Sequence, residues 1–259
     1  MVDELGLVTY DGDDKVISSF DMRDAFRNMK PEERIMSGYE QFDAITGGFG
    51  SGNLVVMSGP TKCGKTSYTQ SLTQKYSKKG IGCIWFTYEV PPREFLSRFP
   101  GGITPLFYMP QKLNDGTLEW IEKRIQEAKA KYDAKIVFID HLHFLLPMGS
   151  ENTGNMIGAI MRELKKIALR NEVIIFIMCH ITKIPKGEIP STNHLRDSSF
   201  IGQESDFVLM ITRPPLDEND ASTLEDKSAK LRVLENRNSG RRGLVNLVYD
   251  YNEYTELAK

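Results

Sequence analysis

Cysteine is scarce in this chain. There are three, Cys63, Cys83 and Cys179, and no two form a CxxC pair. An odd count without such pairs argues against a disulfide framework and suits reduced thiols in a cytosol. Long apolar runs are missing as well, and nothing approaches the ~20 residues that a membrane helix needs. The acidic N-terminus MVDELGLVTYDGDDK has no basic-then-apolar signal pattern. An excess of one charge is also lacking: 33 basic and 35 acidic side chains leave a formal charge of −2. Any nucleic-acid site must therefore be a local patch. Internal repeats and low-complexity tracts are absent. These absences describe a soluble, cytoplasmic protein with no membrane partner.

What is present is ample core material. Hydrophobic residues make up 40% of 259, and charged residues 26%, enough for one large α/β domain or two small ones. Apolar strands are expected at NLVVMSG, CIWFTYE, KIVFID, EVIIFIMCH and SDFVLMIT. Amphipathic helices fall between them. Leu118, Ile121, Ile125 and Ala128 share one helical face, and Ile157, Ile160, Met161, Leu164 and Ala168 share another. Near-continuous apolar strands alternating with such helices mean an α/β fold, with a mostly parallel central sheet flanked by helices. From about Leu231, LRVLENRNSGRRGLVNLVYDYN reads as a C-terminal β-hairpin. Ahead of the first strand, SSFDMRDAFRNMK spaces Met22, Phe26 and Met29 along one face of a short helix that Pro31 ends. That face packs either on its own core or on a neighbouring subunit, and spacing alone favours the first.

Gly59 to Thr66 fits G-x-x-x-x-G-K-[ST] between a strand and a helix, the context in which the pattern cradles phosphate. The loop is Gly59, Pro60, Thr61, Lys62, Cys63, Gly64, Lys65 and Thr66, with Ser67 following. Its glycines let backbone N–H groups converge on phosphate oxygens at a helix N-terminus. Lys65 is placed to reach the β- and γ-phosphates of ATP or another nucleoside or deoxynucleoside triphosphate, and the Thr66 hydroxyl to ligate Mg²⁺. Cys63 reads as a small side chain tolerated there rather than a redox switch.

A P-loop does not define a reaction, so the remaining polar residues at strand ends must. Asp140 ends KIVFID and can support the Mg²⁺ shell. Glu89, one strand over from the P-loop, either polarises an attacking water or is an exposed strand-end charge. His180 ends the strand after Asp140, where a neutral imidazole can contact the γ-phosphate. His141 and His143 alternate after Asp140 and, with His180, raise the question of zinc. A third or fourth ligand at typical spacing is missing, so the zinc reading is set aside. Arg237, Arg241 and Arg242 lie in ENRNSGRRG, as a solvated basic turn or as the source of an arginine finger.

In order, TGGFGSGNLVVMSGPTKCGKT, FTYEVP, KIVFIDHLHFL, VIIFIMCHITK, HLRDSSFIGQESDFVLMITR and LRVLENRNSGRRG resemble the RecA-like motor domain of DnaB-family replicative helicases, including the phage primase-helicase and mitochondrial Twinkle branches. The likeness runs over about residues 35 to 255, and LRDSSFIGQESDFVLMI is its most specific stretch. It implies a ring, usually a hexamer, that hydrolyses ATP with Mg²⁺ between subunits while moving on single-stranded DNA. A primase or a helicase loader is an implied partner. Carried over, Lys65 and Thr66 bind phosphates and metal, Asp140 supports the metal, Glu89 is the catalytic base and His180 is the γ-phosphate sensor. Arg237 matches the finger donated to a neighbour, and Arg213 and Tyr251 match the pair that sandwiches the base. Lys183, Lys186, Arg196, Asp197 and Ser198 fall on the DNA-binding loops. Residues 1–30 become an acidic leader and a subunit-docking helix, reversing the preference from spacing, and residues 31–259 the motor.

Three features depart from the family. Glu235 stands where Lys is usual two residues before the finger, Ser199 replaces a glycine, and the usual N-terminal domain does not precede the motor. Two alternatives share the same core: a RecA-like recombinase or single-strand annealing ATPase, and a non-unwinding helicase-accessory ATPase.

Overall fold

The computed structural model describes residues 9–12, 14–27, 29, 33–99, 103–114, 116–146, 153–181, 188, 191–195, 198–214 and 226–257. It divides into a unit over residues 1–33 and a compact unit over residues 34–259. In the first, helix α1 (Ser19–Arg27) begins at Ser18, whose hydroxyl accepts from the Asp21 N–H at 3.1 Å. None of its residues is buried, and Phe20, Met22 and Phe26 stay exposed.

The second unit opens with α2 (Glu40–Thr46), which Gly47 ends in the left-handed region at φ 68°. No pattern in the sequence marked this helix. Strand β1 (Leu54–Gly59) follows, then α3 (Lys65–Lys78), β2 (Gly82–Thr87), α4 (Pro92–Ser97), α5 (Leu118–Tyr132), β3 (Ala134–Asp140), α6 (Thr153–Asn171), β4 (Ile174–His180), α7 (Ser198–Glu204) and β5 (Phe207–Thr212). The chain finishes with β6 (Ser228–Asn236), β7 (Gly243–Asp250) and β8 (Glu253–Glu256). The expected hairpin is thus the first two strands of a three-stranded antiparallel extension.

All eight strands join one sheet in the order β2-β3-β4-β1-β5-β6-β7-β8. The first five in that order run parallel, and β6 to β8 continue antiparallel from β5. Alternation along each strand explains why both faces are dry. Val55 and Met57 of β1 enter one apolar cluster while Leu54 and Val56 enter the other. The first cluster takes Tyr68, Leu72 and Tyr76 from α3, with Phe42 from α2 and Phe95 from α4. The second takes Ile121, Ile125 and Ala128 from α5 and Ile157, Met161, Leu164 and Ala168 from α6. Each fully buried aliphatic side chain contributes about 1.5–3 kcal/mol by leaving water. The helical faces read from periodicity, those of α5 and α6, thus cover one side of the sheet, and α2, α3 and α4 cover the other.

Polar contacts set the ends. The Thr117 hydroxyl caps α5 by accepting from the Trp120 N–H at 3.3 Å. The Asp206 carboxylate accepts from the Leu54 N–H and from Lys165, both at 2.7 Å, tying the starts of β1 and β5 to α6. Among the described residues, no helix is long and apolar enough to cross a membrane.

Candidate nucleotide site

Parallel register brings the site together. Gly59 at the end of β1 pairs with His180 at the end of β4, and Thr87 at the end of β2 pairs with Asp140 at the end of β3. The Tyr88 N–H donates to the Asp140 carbonyl at 2.8 Å, which carries Glu89 to the same edge. Four neighbouring strands thus deliver the P-loop, Glu89, Asp140 and His180 to their shared carboxyl ends, where open α/β sheets bind ligands.

The loop's two flanking glycines are required by geometry. Gly59 has φ 151°, and a Cβ there would collide with the Ile211 carbonyl. Gly64 has φ 96°, and a Cβ there would strike the Tyr254 hydroxyl. Both values lie where side chains are strained. Tyr254, from β8, packs under the loop: its hydroxyl donates to the Cys63 carbonyl at 3.5 Å and its N–H to Ser71 Oγ at 3.1 Å. Reading the sequence missed this tyrosine, because no local pattern links residues 191 positions apart. Cys63 is buried, and burial raises its thiol pKa, as expected of an unreactive thiol.

Lys65 opens α3 and is buried. Its ammonium donates to the Gly59 and Pro60 carbonyls at 3.0 Å and stands 3.4 Å from His180 Nδ1. The Thr66 hydroxyl donates to Asp140 Oδ2 at 2.7 Å. Asp140 is buried, and burial, above all, raises its carboxyl to about 6, with Glu89 adding to the rise and the Thr66 hydrogen bond opposing it. Its other oxygen, Oδ1, is buried with no hydrogen-bond partner. An orphaned carboxylate oxygen beside a hydroxyl is the donor pair that a hard, oxygen-seeking Mg²⁺ requires, so the residues fit that ion. The cradle of Gly59 to Thr66 at the start of a 14-residue helix fits the phosphates.

Three histidines crowd the same edge. The ring centres of His141 and His180 are 4.4 Å apart, and those of His141 and His143 are 5.4 Å apart. His141 Nδ1 lies 3.4 Å from Glu89 Oε2. Glu89 is thus the third donor that sequence spacing did not reveal, since it reaches the histidines across β3 rather than along the chain.

Arg237 sits elsewhere. Its N–H donates to the Asp206 carbonyl at 2.9 Å, and Asn236 pairs with Phe207 at the start of β5. Because Phe207 is level with Val55, Arg237 lies at the opposite edge of the sheet from Gly59. That is four residues of strand, ~13 Å, and two strands sideways. Its guanidinium donates to the Gln203 carbonyl at the end of α7. Arg242 pairs with Glu235 at 2.7 Å, and Arg241 is exposed.

Arg213 stacks over Tyr249 at 5.3 Å and donates to the Asp226 carbonyl at 3.2 Å. Tyr251 is 86% exposed, which excludes a core role, and Lys227 lies over its ring. Lys183, Lys186, Arg196 and Asp197 lie outside the described residues, and Ser198 is described only as the first residue of α7. An Ile181–Leu195 bridge does pin the base of the loop after His180.

Fold and site together define a P-loop nucleoside-triphosphate-binding α/β protein. More narrowly, the chain belongs to the DnaB-like helicase C-terminal domain family, whose model matches residues 103–258. The P-loop and Glu89 precede that stretch. A DnaB-like replicative helicase described in its interactions with primase superposes with a TM-score of 0.78 and 18% identity, over 95% of this chain and 68% of that one. A second solved structure, an isolated ATPase domain, gives 0.76 at 18% identity, over 92% of this chain and 96% of that one. These likenesses establish the RecA-like fold. A probable replicative DNA helicase of Trieres chinensis is 22% identical over 86% of this chain and 56% of its own length. The replicative DNA helicase DnaC of Bacillus subtilis is 22% identical over 95% and 62%. The chain spans little more than half the length of these relatives.

Proposed function

We propose that this chain is the ATP-hydrolysing motor of a ring-forming replicative DNA helicase, with each nucleotide held between two subunits. The observation that carries this reading is the separation of Arg237 from its own P-loop. A guanidinium at the opposite sheet edge cannot reach the phosphates on its own subunit, which supports a role at those of a neighbour. P-loop enzymes of this kind need a cation that neutralises the transferring phosphoryl group.

In this reading Lys65 and the loop N–H groups hold the phosphates, and Thr66 and Asp140 would hold Mg²⁺, which would supply positive charge against the phosphates. Glu89 orients and deprotonates the attacking water. His180 senses the γ-phosphate and passes its loss through the Ile181–Leu195 bridge to the loop bearing Lys183 and Lys186. With Arg196, Asp197 and Ser198, that loop grips single-stranded DNA through the backbone, giving affinity that falls with salt. Arg213 and Tyr251 flank the base. The exposed apolar face of α1 docks on the next subunit, making residues 1–30 the connector and 31–259 the motor. A primase or a loader is the further partner, in the cytoplasm; the DnaB-like relative is described in its interactions with primase.

Particle imaging with single-stranded DNA and a non-hydrolysable ATP analogue tests this directly. Closed rings around DNA are expected. Open filaments favour the recombinase reading, and rings that fail to separate a forked duplex favour the accessory ATPase.

A further inference from the structure

Three donor side chains from three strands meet beside the P-loop without being used together by the reaction. Glu89 follows β2, His141 follows β3 and His180 ends β4. One ligand atom from each lies within 4.8 Å of the other two, and this is the only such group of three among the described residues. His141 is 9% exposed, and its Nδ1, which faces Glu89, makes no hydrogen bond. A buried, unpartnered imidazole nitrogen aimed at a carboxylate is costly unless something fills the space between them.

The donor set differs from that of the Thr66–Asp140 pair. Oxygen-only ligands suit Mg²⁺, whereas two imidazoles and a carboxylate suit Zn²⁺ and its neighbours. We propose that Glu89, His141 and His180 form a second metal site that takes Zn²⁺ or a similar transition ion and shuts down nucleotide hydrolysis by engaging Glu89 and His180. Three protein ligands leave a fourth position for water or a phosphate oxygen. Bonds of ~2.0–2.1 Å to a tetrahedral ion set donor separations of about 3.3 Å, so the side chains must draw in by roughly an ångström. Glu89 has the freedom to do so, with its side chain 42% exposed. The Lys65 ammonium, 3.4 Å from His180 Nδ1, repels a second cation and holds the affinity below that of closed structural sites. The inhibitory half of the proposal rests on the roles given above to Glu89 and His180; the binding half does not.

Cobalt tests the binding half. Tag-free, nucleotide-free protein is titrated with Co²⁺ while visible absorption is recorded. Bands saturating at one ion per chain, displaced by Zn²⁺ and unmoved by excess Mg²⁺, are expected. In His141→Leu, shown folded by circular dichroism, loss of a ligand weakens binding by at least about 10–100-fold. His180→Gln, at a half-buried position, should do the same if the leucine variant does not fold. No bands in the wild type, or unchanged titration in either folded variant, overturns the site. Zinc inhibition is read separately, as the ratio of ATPase rates with and without Zn²⁺. A ratio that drops toward one in His141→Leu supports the inhibitory half. Full Co²⁺ binding with no inhibition overturns that half alone.

Discussion

The Arg242 guanidinium holds the Glu235 carboxylate at 2.7 Å across the turn between β6 and β7. Glu235 lies two residues before Arg237, where, in the proposed reading, an unpaired acid would oppose the finger. Arg242 cancels that negative charge within the same chain, without adding the net positive charge that a lysine would bring. Both side chains are substantially exposed, so the pair is worth at most about 1 kcal/mol of stability. Arg242→Ala should leave the urea midpoint nearly unchanged while lowering DNA-stimulated ATPase by about fivefold, the equivalent of ~1 kcal/mol. Adding Glu235→Gln should restore the rate. A double variant as slow as the single would show that the pair does not act through charge.

Arg237 and Lys65 make a prediction about assembly. Each alanine variant should lose at least about 10³-fold in rate by itself. When the two are mixed, some interfaces combine an intact P-loop with an intact Arg237. At equal amounts about a quarter of interfaces qualify if subunits mix at random in a symmetric ring. Recovered ATPase at that level is the expected result, and no recovery at any ratio would remove Arg237 from the neighbour's site.

The parts of this site that were legible in the sequence are those written in local order. The P-loop, the strand ending at Asp140 and the helical faces of α5 and α6 each depend on residues a few positions apart. Tyr254 under Gly64, and Glu89 against His141, depend on sheet register and on packing between distant segments, which no window of sequence contains. Helix α7 spans only seven residues, too few to show a period. The sequence did name Arg237, but not its place at the far sheet edge. That place follows from the antiparallel turn of β6 against β5, and it converts a basic turn into an argument for a shared site.

Asp140 predicts a pH dependence. Its carboxyl is raised to about 6, with burial as the main cause. A carboxyl raised on folding takes up its proton more readily in the folded state, so the metal-free protein loses stability as pH rises from the unfolded value, ~4, through 6. The penalty persists above that. Mg²⁺ needs the ionised form, so apparent Mg²⁺ affinity in nucleotide binding should fall as pH drops below about 6. Asp140→Asn should weaken Mg²⁺ binding at pH 8 and flatten the decline toward pH 5, roughly the range over which the native group titrates. Fluorescent-nucleotide titrations at fixed pH and varied Mg²⁺ measure both. An unchanged slope in the variant would assign the decline to another group.

Gly64 and Tyr254 predict a partial rescue. An alanine at position 64 faces two separate costs: a φ of 96° and contact between its Cβ and the Tyr254 hydroxyl. The backbone cost alone is ~1–3 kcal/mol. Tyr254→Phe removes the hydroxyl and, with it, the hydrogen bond to the Cys63 carbonyl, but leaves the backbone unchanged. In a double-mutant cycle, Gly64→Ala should therefore be less destabilising when combined with Tyr254→Phe than in the native protein. It should still cost at least about 1 kcal/mol there, because φ stays positive. Thermal unfolding of the four proteins gives the coupling. Equal costs on both backgrounds would show that the hydroxyl yields freely, leaving backbone strain as the sole reason for glycine at this position.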